Sequence, residues 1–359
     1  MSGGVTIREL AKLCGVAVST VSRAMNDRED VSPETKERIR AAAEKHGYVP
    51  SSSARTLKLS ETNSVLVVIQ GETGRLLISV LQLLETAFAK AGFTTNLTHV
   101  VDSEAEASTI ERVVRAERYR GVVFLGRYGN RDREASVTLS RRLARIDVPM
   151  VFCTTSDYSS SGAMHSFVSA DDQRGAADLT QYLIERGHRR IAFVGAGPEN
   201  DAGHAWAQRL AGYRNALADA GIAQDPGLII RAAVPERLYT LENGFDSLAT
   251  RLMEGMIDFT ALVAVCDEVA IGAAGALREA GLRVPEDCSL VGYDGLDLAR
   301  YWSPKLTTMQ QPLAEIAEAT ARVMLKAMTQ PGHATEQVWI RGSLLEGDSV
   351  ATVVPAPVD

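Results

Sequence analysis

The sequence lacks the cysteine pattern of a disulfide-rich or zinc-binding protein. Among its 359 residues there are four cysteines, Cys14, Cys153, Cys266 and Cys288, which are scattered and form no CxxC pair. This spacing predicts reduced thiols and argues against a disulfide framework or a zinc site. We expect neither a metal nor a cofactor.

Long apolar runs are also missing. No segment approaches the roughly 18 apolar residues that a membrane span requires. The N-terminal sequence MSGGVTIREL has neither the basic nor the apolar part of a signal peptide. We therefore expect a cytoplasmic protein with no membrane partner.

Motifs of common enzyme classes are absent as well. The sequence contains no Walker lysine motif, HExxH or GxSxG. The segment GAGPEN follows a predicted strand but lacks the third glycine of a dinucleotide-binding loop. These absences predict that the chain is not an enzyme.

Charge is divided unevenly along a chain of ordinary globular composition, in which 45% of residues are hydrophobic and 23% are charged. Residues 1–60 hold ten Lys and Arg against seven Asp and Glu, a balance of +3, and the remainder carries −10. A mildly basic head on an acidic body suggests that only the head meets a polyanion.

Residues 1–49 contain three short helical patterns. Thr6 and Glu9 form a T-x-x-E capping box that opens the first helix, and a Cys-Gly-Val turn follows it. The second helix runs through AVSTVSRAMN. Ser32 caps a third helix, with Pro33 at its first position.

The second helix has two different faces. Val21, Ala24 and Met25 share the apolar side. The other side shows Val18, Ser19, Ser22 and Arg23. Small side chains permit close approach to a DNA major groove, and arginine can read guanine edges or hold a phosphate. The alternative is a three-helix packing unit with a solvated polar face.

The segments VTIRELAKLCGVAVSTVSRAMND, VSPETKERIRAAAEKHGYVP and ARTL closely resemble the DNA-binding headpiece of the LacI–GalR family of bacterial transcriptional regulators. The resemblance implies that the second helix enters the major groove, where Val18, Ser19 and Arg23 select the operator sequence. Four further headpiece residues are expected to contact DNA, namely Thr6, Thr20, Ser22 and Asn26. Of these, Thr20 and Ser22 are expected to bind phosphates.

One headpiece position departs from the family pattern. Ala17 stands just before the second helix, where the family commonly has Ser or Thr. A missing N-cap side chain costs about 0.5–2 kcal/mol of helix stability. We therefore expect weaker headpiece affinity, or compensation from elsewhere.

The segment PSSSARTLKLS, residues 50–60, reads as a serine-rich linker but resembles the family's hinge helix. Two helical turns cannot offset their own ordering cost, so the hinge is expected to fold only when two copies meet on DNA. Leu57 is then expected to wedge between base pairs and kink the duplex. The remaining expected contacts are Ser53, Ala54, Arg55 and Lys58.

From residue 61 onward, β-branched runs such as SVLVVI, GVVFLG, PMVFCT, RIAFVGA, ALVAVC and CSLVGYD alternate with amphipathic helical stretches. Apolar strands joined by helices imply parallel sheets covered on both faces. The length of this region predicts two subdomains, with a ligand cleft between them at the carboxyl ends of the strands.

The segments LIERGHRRIAFVGA, RLAGYRNALADAGI, REAGLRVPEDCSLVGYDG and SPKLTTMQQP also resemble family landmarks and imply a periplasmic-binding-protein-like core of type I. The expected fold is an all-α helix-turn-helix headpiece (1–49), a hinge helix (50–60) and an α/β core (61–359) of two doubly wound parallel-sheet subdomains. The N-subdomain is expected over about 61–170 and 313–340, and the C-subdomain over about 171–309 and 341–359.

The resemblance also implies an effector site in the cleft. Arg209, before LAGY, and Asp294, in VGYD, match the family's effector-binding arginine and acid. Together they offer a donor fork and a charged acceptor suited to vicinal hydroxyls. Tyr239 aligns with a ring-stacking aromatic residue. Three further residues sit at strand ends expected to open on the cleft, namely Gln70, Arg127 and Cys266.

Two departures affect the expected ligand. Leu76 and Leu77 stand in for family aromatics and Cys266 for an asparagine, which weakens the case for an ordinary monosaccharide. Arg75 and Arg127 near the cleft raise the alternative of a charged or phosphorylated ligand.

The helix predicted over residues 76–88 is apolar nearly all the way round. Its residues Leu77, Val80, Leu81, Leu84 and Phe88 are not expected to fit one stripe. One side of this helix would then pack on the core of its own chain, and a partner subunit would cover the other side. The alternative is a helix that packs only within its own chain. The C-terminal ATVVPAPVD has no heptads, so a homodimer is expected and a zipper-type tetramer is not.

These features predict a sequence-specific transcriptional regulator, a repressor, controlled by a sugar or sugar derivative. Its partners would be double-stranded operator DNA, the effector and a second copy of the chain. One alternative is a corepressor-dependent regulator that binds a purine-like or phosphorylated ligand. The other is a nucleotide-dependent enzyme built on the doubly wound core.

Overall fold

A computed structural model describes residues 5–25, 28, 30–46, 48, 63–70, 74–100, 103–126, 141–154, 165–198, 204–255, 258–330 and 332–353. The chain divides into two compact units, Met1–Thr62 and Asn63–Asp359.

The first unit contains three helices, α1 (Ile7–Cys14), α2 (Val18–Met25) and α3 (Pro33–Lys45). The predicted capping box is confirmed. The Thr6 hydroxyl accepts the Glu9 amide at 3.3 Å, and the Glu9 carboxylate accepts the Thr6 amide at 2.7 Å. Both contacts satisfy amides that a helix start leaves without partners.

The three helices pack around a small apolar centre in which Leu10, Val21, Ala24 and Ile39 are buried. The predicted division of α2 is therefore confirmed, because its apolar side forms part of this centre. Val18, Ser19 and Arg23 are exposed on the other side.

The start of α2 gives a testable stability prediction. The exposed Ala17 accepts the amides of Thr20 and Val21 through its carbonyl oxygen, which places it at the N-cap, where its methyl group has no acceptor to offer. Ala17→Ser should stabilise the headpiece by about 0.5–2 kcal/mol in chemical denaturation. Ala41→Ser, at an exposed position inside α3, is the control and should destabilise slightly. Equal effects at both positions would contradict the prediction.

The second unit contains two six-stranded sheets. The sheet of the N-subdomain has the strand order β11-β5-β4-β3-β1-β2, and every pairing in it is parallel. Its strands are β1 (Ser64–Gln70), β2 (Thr94–Val100), β3 (Gly121–Leu125), β4 (Met150–Cys153), β5 (Ser166–Ala170) and β11 (Gln337–Ile340).

The sheet of the C-subdomain has the order β12-β10-β9-β8-β6-β7. It differs from the prediction at one edge, where the short β12 pairs with β10 in the antiparallel direction. Its strands are β6 (Ile191–Ala196), β7 (Ile229–Arg231), β8 (Ala261–Ala264), β9 (Ser289–Asp294), β10 (Thr307–Gln310) and β12 (Ser343–Leu345).

Helices cover these sheets, as expected for buried parallel strands. The N-subdomain has α4 (Arg75–Lys90), α5 (Ser103–Glu117) and α11 (Leu313–Thr329). The C-subdomain has α6 (Asp172–Glu185), α7 (Ala205–Asp219), α8 (Leu241–Met253), α9 (Asp267–Glu279) and α10 (Asp297–Tyr301). The two parallel-sheet subdomains predicted from the sequence are thus confirmed.

The prediction that the apolar residues of α4 would not fit one stripe is wrong. Val80, Leu84 and Phe88 are buried against the N-subdomain sheet, and Leu77 and Leu81 pack beside them. These five positions recur at spacings of three and four residues, so they form one broad face. Ile78 points away from that face and is 47% exposed.

All four cysteines lie within the described residues, and all are free thiols. Within the described ranges, no helix has the length and apolar character that crossing a membrane requires.

Candidate functional site

The carboxyl edges of the two sheets face each other. Helix α4 begins at the carboxyl edge of the N-subdomain sheet, and α9 begins at the carboxyl edge of the other sheet. Arg75 in the first turn of α4 forms an ion pair with Glu268 in the first turn of α9, with Nε and Oε1 3.2 Å apart. This ion pair joins the two subdomains at the carboxyl edges of their sheets, which is where open α/β sheets bind ligands.

Arg209 lies on α7 near the carboxyl edge of the C-subdomain sheet and is only 3% exposed. Its Nε donates to Asp172 at 2.8 Å, and its Nη1 donates to the carbonyl oxygen of Val265 at 2.6 Å. Its Nη2 lies 3.2 Å from the Asp294 carboxylate. The guanidinium also stacks on the Tyr293 ring, 3.8 Å from its centre. Every nitrogen of the group therefore has a partner within the chain.

Asp294 is held in an unusual backbone conformation at the end of β9. Its φ is 108°, a value that non-glycine residues rarely adopt. Its carboxylate accepts from the Gln311 amide at 2.7 Å, in addition to its contact with Arg209. Such strained residues concentrate at functional sites, where the surrounding structure holds them in place.

Burial changes the ionisation of these acids. Desolvation raises the pKa of Asp294 to about 6, although Arg209 opposes the shift, and it raises the pKa of Asp172 for the same reason. Asp267, at the start of α9, has a pKa raised to about 8 by burial and by the nearby Asp294. This edge of the C-subdomain sheet therefore carries carboxyl groups that change protonation near neutral pH.

A pH prediction follows from Asp294. A ligand hydroxyl that donates to this residue requires the ionised carboxylate, and a pKa near 6 lowers that fraction about tenfold between pH 7 and pH 5. Ligand affinity measured by calorimetry should fall by about the same factor. Asp294→Asn should bind weakly at both pH values. Wild-type affinity that stays constant over this range would contradict the prediction.

Of the other residues predicted for this site, the structure describes the side-chain contacts of Cys266 and Tyr239. Cys266 caps α9, its sulfur accepting the Val269 amide at 3.4 Å, and burial raises its pKa well above the usual value. The Tyr239 hydroxyl accepts the Trp206 amide at 3.3 Å. Gln70 ends β1, but its side chain lies outside the described residues, as does the whole of Arg127.

Sequence reasoning missed Asp172 and Trp206. Asp172 opens α6 and is buried beside Arg209. It follows β5, a strand that the sequence analysis did not predict, so no local pattern marked it. Trp206 precedes Arg209 by three residues on α7, a spacing that puts two side chains on one helix face.

The predicted DNA-binding residues belong to the first unit. Among them, Val18, Ser19, Thr20, Ser22 and Arg23 all lie on α2. Thr6 caps α1 through the contacts given above. Asn26, Ser53, Ala54, Arg55, Leu57 and Lys58 lie outside the described residues.

The chain matches two families of known sequences. Residues 6–51 match "Bacterial regulatory proteins, lacI family", and residues 180–350 match "Periplasmic binding protein-like domain". The HTH-type transcriptional regulator MalR of Clostridium butyricum is 31% identical over 347 residues, covering 96% of this chain and 99% of the relative. The HTH-type transcriptional repressor CytR of Escherichia coli K12 is 28% identical, covering 90% and 89%.

Solved structures share the fold. A Lac repressor dimer bound to operator and an anti-inducer superposes with a TM-score of 0.81 at 23% identity, covering 97% of this chain and 100% of the other. A complex of the transcriptional regulator CelR with cellobiose has a TM-score of 0.69 at 27% identity, covering 96% and 99%.

Proposed function

Because the chain belongs to the lacI family of bacterial regulatory proteins, we propose that it represses transcription as a homodimer whose grip on operator DNA depends on a neutral, hydroxyl-rich effector. The chain is a DNA-binding transcriptional regulator with an effector-binding core, and not an enzyme. In this proposal residues 1–49 read the operator, 50–60 form the hinge helix and 61–359 bind the effector. Repression takes place in the cytoplasm, where the operator is.

The exposed side of α2 supports the DNA-binding role. Arg23 forms an ion pair with Asp30 at 3.1 Å, and both side chains are more than half exposed. An exposed pair of this kind contributes about 0–1 kcal/mol. A bidentate contact with guanine contributes about 1–3 kcal/mol of discrimination. Arg23 can therefore exchange its contact with Asp30 for a contact with operator DNA.

Charge at the cleft supports a neutral effector over the phosphorylated alternative. Arg209 and Arg75 are both paired with carboxylates of the chain itself. The buried acids Asp172 and Asp294, both in contact with Arg209, suit a ligand that donates hydrogen bonds from hydroxyl groups. The related structure with cellobiose bound also favours a carbohydrate.

Exposed apolar side chains on both subdomains support the homodimer. Ile78 on α4 is 47% exposed, Leu97 on the edge strand β2 is 53% exposed, and Tyr301 at the end of α10 is 80% exposed. A homodimer in which a partner covers these side chains would remove apolar surface from water, which favours association. The related Lac repressor structure is a dimer bound to operator.

One observation carries the proposal: the chain combines an exposed face on α2 with a buried Arg209–Asp294 cluster at the carboxyl edge of the C-subdomain sheet. The test is operator binding by the full-length protein. We expect affinity for its own promoter region that falls steeply with salt and is reduced by Arg23→Ala. A panel of neutral sugars should contain one that changes this affinity. Binding that does not distinguish promoter from random DNA would contradict the proposal.

A further inference from the structure

In the described part of the core, the indole Nε1 of Trp206 and the Oγ1 of Thr154 are buried and have no hydrogen-bond partner. Trp206 as a whole is 3% exposed. A buried indole N–H normally finds an acceptor, and leaving it without one carries a desolvation penalty. Each such atom in a folded protein calls for an explanation.

Trp206 lies near the carboxyl edge of the C-subdomain sheet, on the same helix as Arg209. It is the second residue of α7, which begins at the carboxyl edge of the C-subdomain sheet, and it precedes Arg209 by one helical turn. Its indole lies against Gly197, just beyond the end of β6, so closely that a Cβ at Gly197 would come within 2.7 Å of Nε1. The N–H therefore sits where the chain leaves the sheet.

Thr154 occupies the corresponding place in the other subdomain. It follows β4 at the carboxyl edge of the N-subdomain sheet, and its amide donates to the Val168 carbonyl at 2.9 Å. Its φ of 64° is left-handed, which is a rare conformation for a β-branched residue. This left-handed backbone places a hydroxyl without a partner at the carboxyl edge of the N-subdomain sheet.

We propose that Trp206 is a specificity-determining residue of the effector site, whose Nε1 donates to an acceptor oxygen of a neutral polyhydroxy ligand. Thr154 Oγ1 contacts the same ligand from the opposite subdomain. Binding then gives both groups a hydrogen-bond partner, while hydroxyl groups of the ligand donate hydrogen bonds to the carboxylates of Asp294 and Asp172. This inference rests on the proposed function, because it requires that the cleft hold the effector.

The decisive variant replaces Trp206 by 3-benzothienylalanine, which keeps the size of the ring but has sulfur in place of the N–H. Neutral mono- and disaccharides, including ribose and cellobiose, and glucose 6-phosphate are titrated into the full-length protein by calorimetry. We expect a neutral compound to bind the wild type and to lose about threefold to tenfold in affinity with the variant. The ligand-free variant should unfold at no lower denaturant concentration than the wild type, since only a donor without a partner is removed.

Trp302→Phe is the matched control, because Trp302 is partly buried in the same hydrophobic cluster, and it should leave ligand affinity unchanged. Equal affinity of the wild type and the benzothienyl variant would overturn the assignment, with Nε1 then served by an ordered water. Binding of the phosphorylated sugar alone, or of no neutral sugar, would overturn the ligand class. Without ligand, the benzothienyl variant should bind operator as tightly as the wild type does. A wild type that does not bind operator would instead reject the proposed function.

Discussion

Replacement of Arg209 by methionine is expected to lower the free energy of unfolding of the core by about 3–5 kcal/mol at pH 7, since it strands two buried carboxylates without a counter-charge. Asp172 and Asp294 both contact this guanidinium and are buried. Methionine keeps most of the volume, so the loss reports chiefly on charge. Chemical denaturation of the full-length protein measures it.

The pH dependence of the unfolding free energy of Arg209→Met provides a second test of the same network. Without Arg209, the pKa values of Asp172 and Asp294 should rise further above their unfolded value near 3.8, so the folded state binds protons more tightly. The unfolding free energy of the variant should then increase as pH falls from 7 to 5. Arg174→Met is the control, because Arg174 is exposed and its partner Asp178 also pairs with Arg341, so this pair should contribute under about 1 kcal/mol. A similarly small loss in Arg209→Met would show that the buried network does not stabilise the core.

Leu57→Ala should remove most of the operator bend and weaken operator binding roughly tenfold to a hundredfold. Each protomer of a dimer would insert one Leu57 between base pairs, and burying a leucine contributes about 1.5–3 kcal/mol. The unstacking that the wedge causes offsets part of this gain. Energy transfer between dyes at the two duplex ends measures the bend, and titration of the same duplex measures the affinity.

Leu57→Met keeps an apolar wedge of similar size and should preserve most of the bend. Lys58→Ala should weaken binding to all sequences and reduce its salt dependence without removing the bend. A Leu57→Ala protein that bends and binds the operator like the wild type would contradict the insertion of Leu57 between base pairs and would indicate that the hinge segment is only a linker.

Much of the fold could be predicted because its signals are local. Apolar runs such as SVLVVI and RIAFVGA became β1 and β6, and the T-x-x-E pattern at Thr6 formed the capping box. Strands without such runs were harder to see. The segment TTNLTHV forms the edge strand β2, which is mostly exposed and so lacks a continuous apolar run.

The details of the cleft depend on residues far apart in the chain. The sequence marked Arg209 as a donor for a ligand, but folding brings Asp172, Asp294 and the Val265 carbonyl to its three nitrogens. No local pattern carries that information. The orphaned N–H of Trp206 is likewise visible only once the surrounding strands and helices are packed.

The most direct test of the account is the operator affinity of the full-length protein with and without a sugar that calorimetry shows to bind its core. We predict a change of about fivefold or more in the wild type, in either direction, and none in Asp294→Asn at the same sugar concentration. Operator affinity that stays constant while the core is saturated with sugar would contradict effector control of DNA binding.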